Sequence, residues 1–222
     1  MLMRLCLVSM MTFVIALPLM AQDPGGRGAQ RGDRGGGNAP GGQRGGAGAP
    51  GGAAPAMTLA IPGFPDGAQI PVKFSQAAEG AAPGEGTSPA MSWANPPAGT
   101  QSFVLHMHDM DLARNKTTDD QVHWVVWNIP ANALGLPEGA PKGSQRPDGS
   151  YQISATGPMY RGPGAPATGP LHHYVFELFA LDIKLDVQPT SDAFETRANV
   201  IKAIQGHVLA KAVYGGLFRR PQ

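Results

Sequence analysis

Residues 162–182 read GPGAPATGPLHHYVFELFALD. A loop of glycines and prolines runs into a segment, Leu171 to Leu181, with a period of two: His172, Tyr174, Phe176 and Leu178 share one side, and His173, Val175, Glu177 and Phe179 share the other. Alternation of this kind is the signature of a β-strand. It splits the histidine doublet, placing His172 with Tyr174 and turning His173 away. The preceding Gly162, Gly164 and Gly169 can adopt positive φ, which would let backbone N–H groups approach a ligand and form a concavity that favours anions.

Two further segments have strand character. In Ser102–Asp109, SFVLHMHD, Phe103, Leu105, Met107 and Asp109 lie on one face and Val104, His106 and His108 on the other. Val122–Ile129, VHWVVWNI, is apolar on both faces, as a central strand would be, with His123 expected beside Val125 and Trp127. One helix is expected: Ser191 or Asp192 caps AFETRANVIKAIQ and Gly206 ends it. Its apolar face is Ala193, Phe194, Val200, Ile201 and Ile204. HVLAKAVYGGLF then reads as a last strand, and short Pro- and Gly-rich segments connect the rest. These elements describe a mainly β domain with one late α-helix.

The ends set its context. A single Arg precedes an apolar run from Leu5 to Met20, which is short for a membrane span and ends at Ala21, so residues 1–21 are expected to be a signal peptide. Residues 22–56 hold four Arg, two Asp and no aromatic residue, and cannot bury enough surface to offset the entropy of ordering. They are expected to be a disordered linker. Cys6, the only cysteine, would leave with the signal, so the domain over 57–222 must rely on its core. That domain has 12 Lys and Arg against 14 Asp and Glu, a net charge of −2 that argues against nucleic acid as a partner. Localisation is expected to be secreted or periplasmic, with no membrane span after cleavage.

The chemistry concentrates at strand ends. Asp109 ends an apolar stripe and Asp111 follows two residues later; His123 opens a central strand and His172 shares a face with Tyr174. If these ends meet, they form the mouth of an apolar cavity with few convergent polar groups, as in a small-ligand site. Imidazolium groups from His123 and His172 would add positive charge below about pH 6.5. His106 and His108 read as hydrogen-bonded residues of the opposite face. His173 reads as exposed or paired with Glu177, and His207 as a cation favoured beside a helix C-terminus. Trp93, Trp124 and Trp127 read as core.

In order along the chain, PDGAQIP, TSPAMSW, PAGTQSFVLHMHDMD, HWVVWNIP, the 162–182 stretch and IQGHVLAKA resemble motifs of the phosphatidylethanolamine-binding protein family, in its bacterial Raf-kinase-inhibitor-like branch. The resemblance runs from about Leu59 to Arg219. It implies a β-sandwich with an anion pocket at one end, whose residues fall here on Asp109, Asp111, His123, Gly164, His172 and Tyr174. In the family that pocket accepts phosphate, phosphoryl headgroups or similar small anions. Met110 and Ala113 replace two prolines of the family pattern, which should loosen the loop carrying Asp111, and Ala165 stands where a further proline often sits. The extra C-terminal helix of animal members is not expected, and whether their kinase or membrane regulation carries over is left open.

The function expected is therefore a non-catalytic domain, without cofactor, that captures a small anionic ligand such as phosphate or a phospholipid headgroup. A homodimer is left open. Two alternatives stand beside it: an acid–base or metal-assisted hydrolase using Asp109, His123 and His172, and an interaction domain reading a phosphorylated or carboxylate-bearing partner. The chain contains no HExxH and no nucleophile elbow.

Overall fold

The computed structural model describes residues 55–222. The expected signal peptide, and all but the last two residues of the expected linker, lie outside these residues. The elements in chain order are β1 (Thr58–Ala60), β2 (Met91–Ala94), β3 (Ser102–Asp109), β4 (Gln121–Pro130), β5 (Gly135–Leu136), β6 (Tyr151–Ile153), β7 (His172–Leu181), α1 (Ala193–Ala203) and β8 (Val208–Phe218), with a short 3-10 turn at Val72–Phe74.

Two antiparallel sheets form, one of order β1-β2-β5 and one of order β6-β4-β3-β7-β8. The mainly β architecture with a single late helix is the one the sequence implies. Strand β3 lies between β4 and β7, and all eight of its residues are buried. Its alternation feeds two cores. Phe103, Leu105 and Met107 join Trp124, Phe176, Leu59 and Trp93 on one side, while Val104 joins Val125, Trp127, Phe179, Val200 of α1 and Ile204 at its C-terminal cap on the other. Burying each such large side chain contributes roughly 1.5–3 kcal/mol. The three tryptophans are core as expected, and each indole N–H has an acceptor: Ala133 O at 2.8 Å, Gln152 Oε1 at 3.0 Å and Val187 O at 2.9 Å.

Strand β4 departs from simple alternation at two places. Met107 pairs with Trp124 but His108 with Val122, so His123 is an extra residue, a β-bulge. A second extra residue falls between Val126 and Ile129, where Asn128 takes φ 59°. The first bulge corrects the expected placement of His123. Its ring meets Tyr174, on the same side as Trp124, whereas Val125 and Trp127 face α1.

Of the two capping candidates, Asp192 caps α1, accepting from the N–H groups of Phe194 at 2.8 Å and Glu195 at 3.3 Å. Gly206 follows the helix at φ 82°, a left-handed conformation that glycine adopts without a Cβ clash. Among the described residues no helix is long and apolar enough to cross a membrane.

Candidate functional site

Strand register alone brings Asp109 opposite Tyr174, with His172 two residues before it as the first residue of β7. Asp109 Oδ2 accepts from His172 Nδ1 at 2.8 Å, and its Oδ1 accepts from the Asp111 N–H at 3.0 Å. This pairing fixes the His172 tautomer and leaves Nε2 for the adjoining cavity. The cavity measures about 100 Å³ and is lined by Asp109, His123, Gly164, His172 and Tyr174, with Gln76, Gln121 and Arg161 beside them. At about 30 Å³ per water, it has room for a few waters or one small oxyanion.

The bulge delivers His123 to this wall. Nδ1–H donates to Arg161 O at 2.9 Å while the Arg161 N–H donates to His123 O at 3.1 Å, so the loop before Gly162 is docked on the bulge. The His123 ring stands edge-on to Tyr174, centroids 5.0 Å apart. Burial lowers its pKa to about 4. His123 is therefore neutral near pH 7, and the imidazolium expected below about pH 6.5 forms only towards pH 4.

Tyr174 also differs from expectation. Its hydroxyl accepts from the N–H groups of Gly164 and Ala165, both at 3.2 Å. The backbone donors assigned to a ligand are thus directed at the phenol. Burial, with Asp109 beside it, raises the Tyr174 pKa above the ordinary phenol range, so the group stays neutral and keeps an O–H to donate. Nor do Gly162, Gly164 and Gly169 adopt positive φ. Glycine serves close packing instead: a Cβ on Gly164 would lie 2.4 Å from Gln76 Nε2, and one on Gly162 would lie 2.8 Å from Phe74 O. Gln76 is pinned there, donating to Gly162 O at 2.7 Å and accepting from the Gly84 N–H at 3.2 Å.

Asp111 is not part of the cavity wall. Its Oδ2 accepts from the backbone N–H of His173 at 2.6 Å and from the His173 ring at 3.0 Å. Burial would raise its pKa, but these His173 bonds outweigh it and hold the carboxyl below the ordinary range. His173 is exposed as read, and its partner is Asp111 instead of Glu177. Met110 contributes what a proline could not, an N–H that donates to His173 O at 3.0 Å and offsets the lost φ restraint. His207 accompanies the helix terminus and bonds Asp182 at 2.9 Å.

Arg161 escaped the sequence reading although it directly precedes the glycine loop. Its Nε is buried with no hydrogen-bond partner among the described residues. Burial lowers its pKa, with Arg220 acting in the same direction, yet a guanidinium remains charged in proteins. Arg161, on the wall of the cavity, gives it the positive charge that His123 does not.

With the glycine loop, the Asp109–His172 pair and the two-sheet frame in place, comparison with known proteins is decisive. The phosphatidylethanolamine-binding protein family model matches residues 60–219. The chain belongs to that family. Among relatives of this phosphatidylethanolamine-binding protein domain, a UPF0098 protein of Methanothermobacter thermautotrophicus is 37% identical over 166 residues, covering 74% of this chain and 99% of its own. A candidate lipoprotein of Mycobacterium tuberculosis, LppC, is 30% identical over 166 residues, covering 74% and 75% respectively. Among solved structures, the candidate phosphatidylethanolamine-binding protein homologue CT736 of Chlamydia trachomatis superimposes with a TM-score of 0.58 at 28% identity, covering 73% of this chain and 97% of that one.

Proposed function

We propose that this chain is an exported, non-catalytic binding protein whose cavity captures a small anionic group, inorganic phosphate or the phosphoryl group of a lipid headgroup. The observation that carries the reading is the cavity of about 100 Å³ in which His172, held by Asp109, meets Arg161 with its unpartnered buried Nε. His172 offers its Nε2 edge, Arg161 guanidinium donors and Tyr174 its O–H, while neutral His123 shapes the wall. Asp111 supports the site indirectly by holding the start of β7 through His173. The apolar run at residues 5–20 and the likeness to a candidate lipoprotein support export.

The test is titration with inorganic phosphate and with phosphoethanolamine, followed by imidazole NMR. The expected result is movement of the His172 resonances and at least about 10-fold weaker binding in His172→Ala and Arg161→Gln, the loss of one charge-assisted bond. Unchanged affinity in His172→Ala overturns the assignment. Tighter binding of phosphoethanolamine than phosphate identifies a headgroup; equal binding identifies free phosphate.

A second reading rests on one observation: Asp109, Asp111 and His172 each place a ligand atom within 4.8 Å of the others, as a metal-assisted hydrolase would need. Phosphoester turnover that disappears in Asp109→Asn would favour it over capture.

A further inference from the structure

On the opposite face of the large sheet, His106 and His108 stand two residues apart on β3, so both rings project to one side. The rings stack, with centroids 4.2 Å apart and planes within 12°. They are only 5% and 7% exposed. Neither nitrogen of His106, nor Nε2 of His108, has a hydrogen-bond partner among the described residues, a costly arrangement for buried polar atoms.

What faces them is a carboxylate. Glu177, the cross-strand neighbour of His106 on β7, places Oε2 3.6 Å from His106 Nδ1 and 3.4 Å from His108 Nε2. These separations are too long for good hydrogen bonds. They are close to the edges of about 3.3–3.5 Å between ligand atoms around a tetrahedral ion with bonds of about 2.0–2.2 Å. At its other nitrogen His108 bonds Asp120 Oδ2, the carboxylate–imidazole pairing that orients a metal-binding histidine and leaves Nε2 for the ion. Lys211 holds the second oxygen of Glu177 and Arg197 that of Asp120, so both carboxylates are fixed from behind. Asp120 also has an oxygen within 4.8 Å of ligand atoms of His106 and His108, but its two oxygens are taken by His108 Nδ1 and Arg197, which leaves Glu177 Oε2 as the carboxylate oxygen between the rings. The cluster borders a cleft of about 570 Å³ against α1, edged by Arg197, Lys202 and Gln205, which gives an ion a route from solvent.

We propose that His106, His108 and Glu177, with Asp120 behind His108, bind a divalent transition cation of the zinc class, its fourth position turned to the cleft. This site is separate from the Asp109–His172 cavity and does not depend on the function assigned to it.

Zinc alone is the probe, titrated by calorimetry into metal-free protein and into His172→Ala, which removes any contribution from the first cavity. One equivalent should bind in both. Affinity should fall by roughly 100-fold in His106→Gln and Glu177→Gln, and by about 10–100-fold in Asp120→Asn. A measurement on the unmodified chain guards against misfolded variants: zinc should shift the imidazole signals of His106 and His108 and leave those of His172 in place. No zinc uptake, unchanged affinity in His106→Gln, or shifts confined to His172 overturns the proposal.

Discussion

Gly162 and Gly164 are two residues apart in one loop, but a methyl group meets different neighbours at each. At Gly162 the added Cβ would press on backbone, 2.8 Å from Phe74 O and 2.9 Å from Gln76 N. At Gly164 it would meet the end of the Gln76 side chain, which can swing away by giving up its bonds to Gly162 O and Gly84 N. Gly162→Ala should therefore cost about 3 kcal/mol and Gly164→Ala about 1 kcal/mol, read as a drop in melting temperature of about 2–4 °C per kcal/mol. Equal effects would mean that the loop yields as a whole. These glycines were legible as a loop, but their reason was not. Glycine in a sequence is compatible with positive φ and with tight packing alike, and only the position of residues 74–76, far away in sequence, decides between them. Arg161 and Gln76 were missed for the same cause, since nothing local marks a side chain that completes a remote cavity.

Among the elements, the long strands were the most legible. β3 spans Ser102–Asp109 as its alternation predicts, and β7 divides His172 from His173 as read. The small sheet of β1, β2 and β5 was not foreseen, because strands of two to four residues carry too few alternations to register. The bulge at His123 was invisible for a related reason: HWVVWNIP is apolar on both faces, so an inserted residue leaves no mark on the pattern. Helix α1 offers a clean test of local chemistry. The Asp192 carboxylate satisfies two otherwise unpaired N–H groups, so Asp192→Ala should lower stability by about 1 kcal/mol in urea unfolding, while Ser191→Ala should change it little.

For the whole molecule, the neutral His123 links stability to acidity. Its folded pKa is about 4 against about 6.5 in the unfolded chain, so between those values the unfolded chain binds the extra proton. The contribution of His123 to stability should be complete above pH 6.5 and fall by about 3 kcal/mol as pH drops towards 4, with His123→Asn flattening that part of the curve. A slope unchanged in His123→Asn would assign the acid sensitivity to other groups. The large sheet also has a property that follows from its burial on both sides. Asp109 faces the cavity because three apolar residues of the same parity precede it on β3, while His106 and His108 face α1 because they have the opposite parity. Removing or adding one residue between Leu105 and Asp109 would exchange these roles, sending an imidazole into the sandwich interior and the Asp109 carboxylate towards the helix. On this plan the spelling of β3 is free to vary while its length is not, much as a reading frame must be kept.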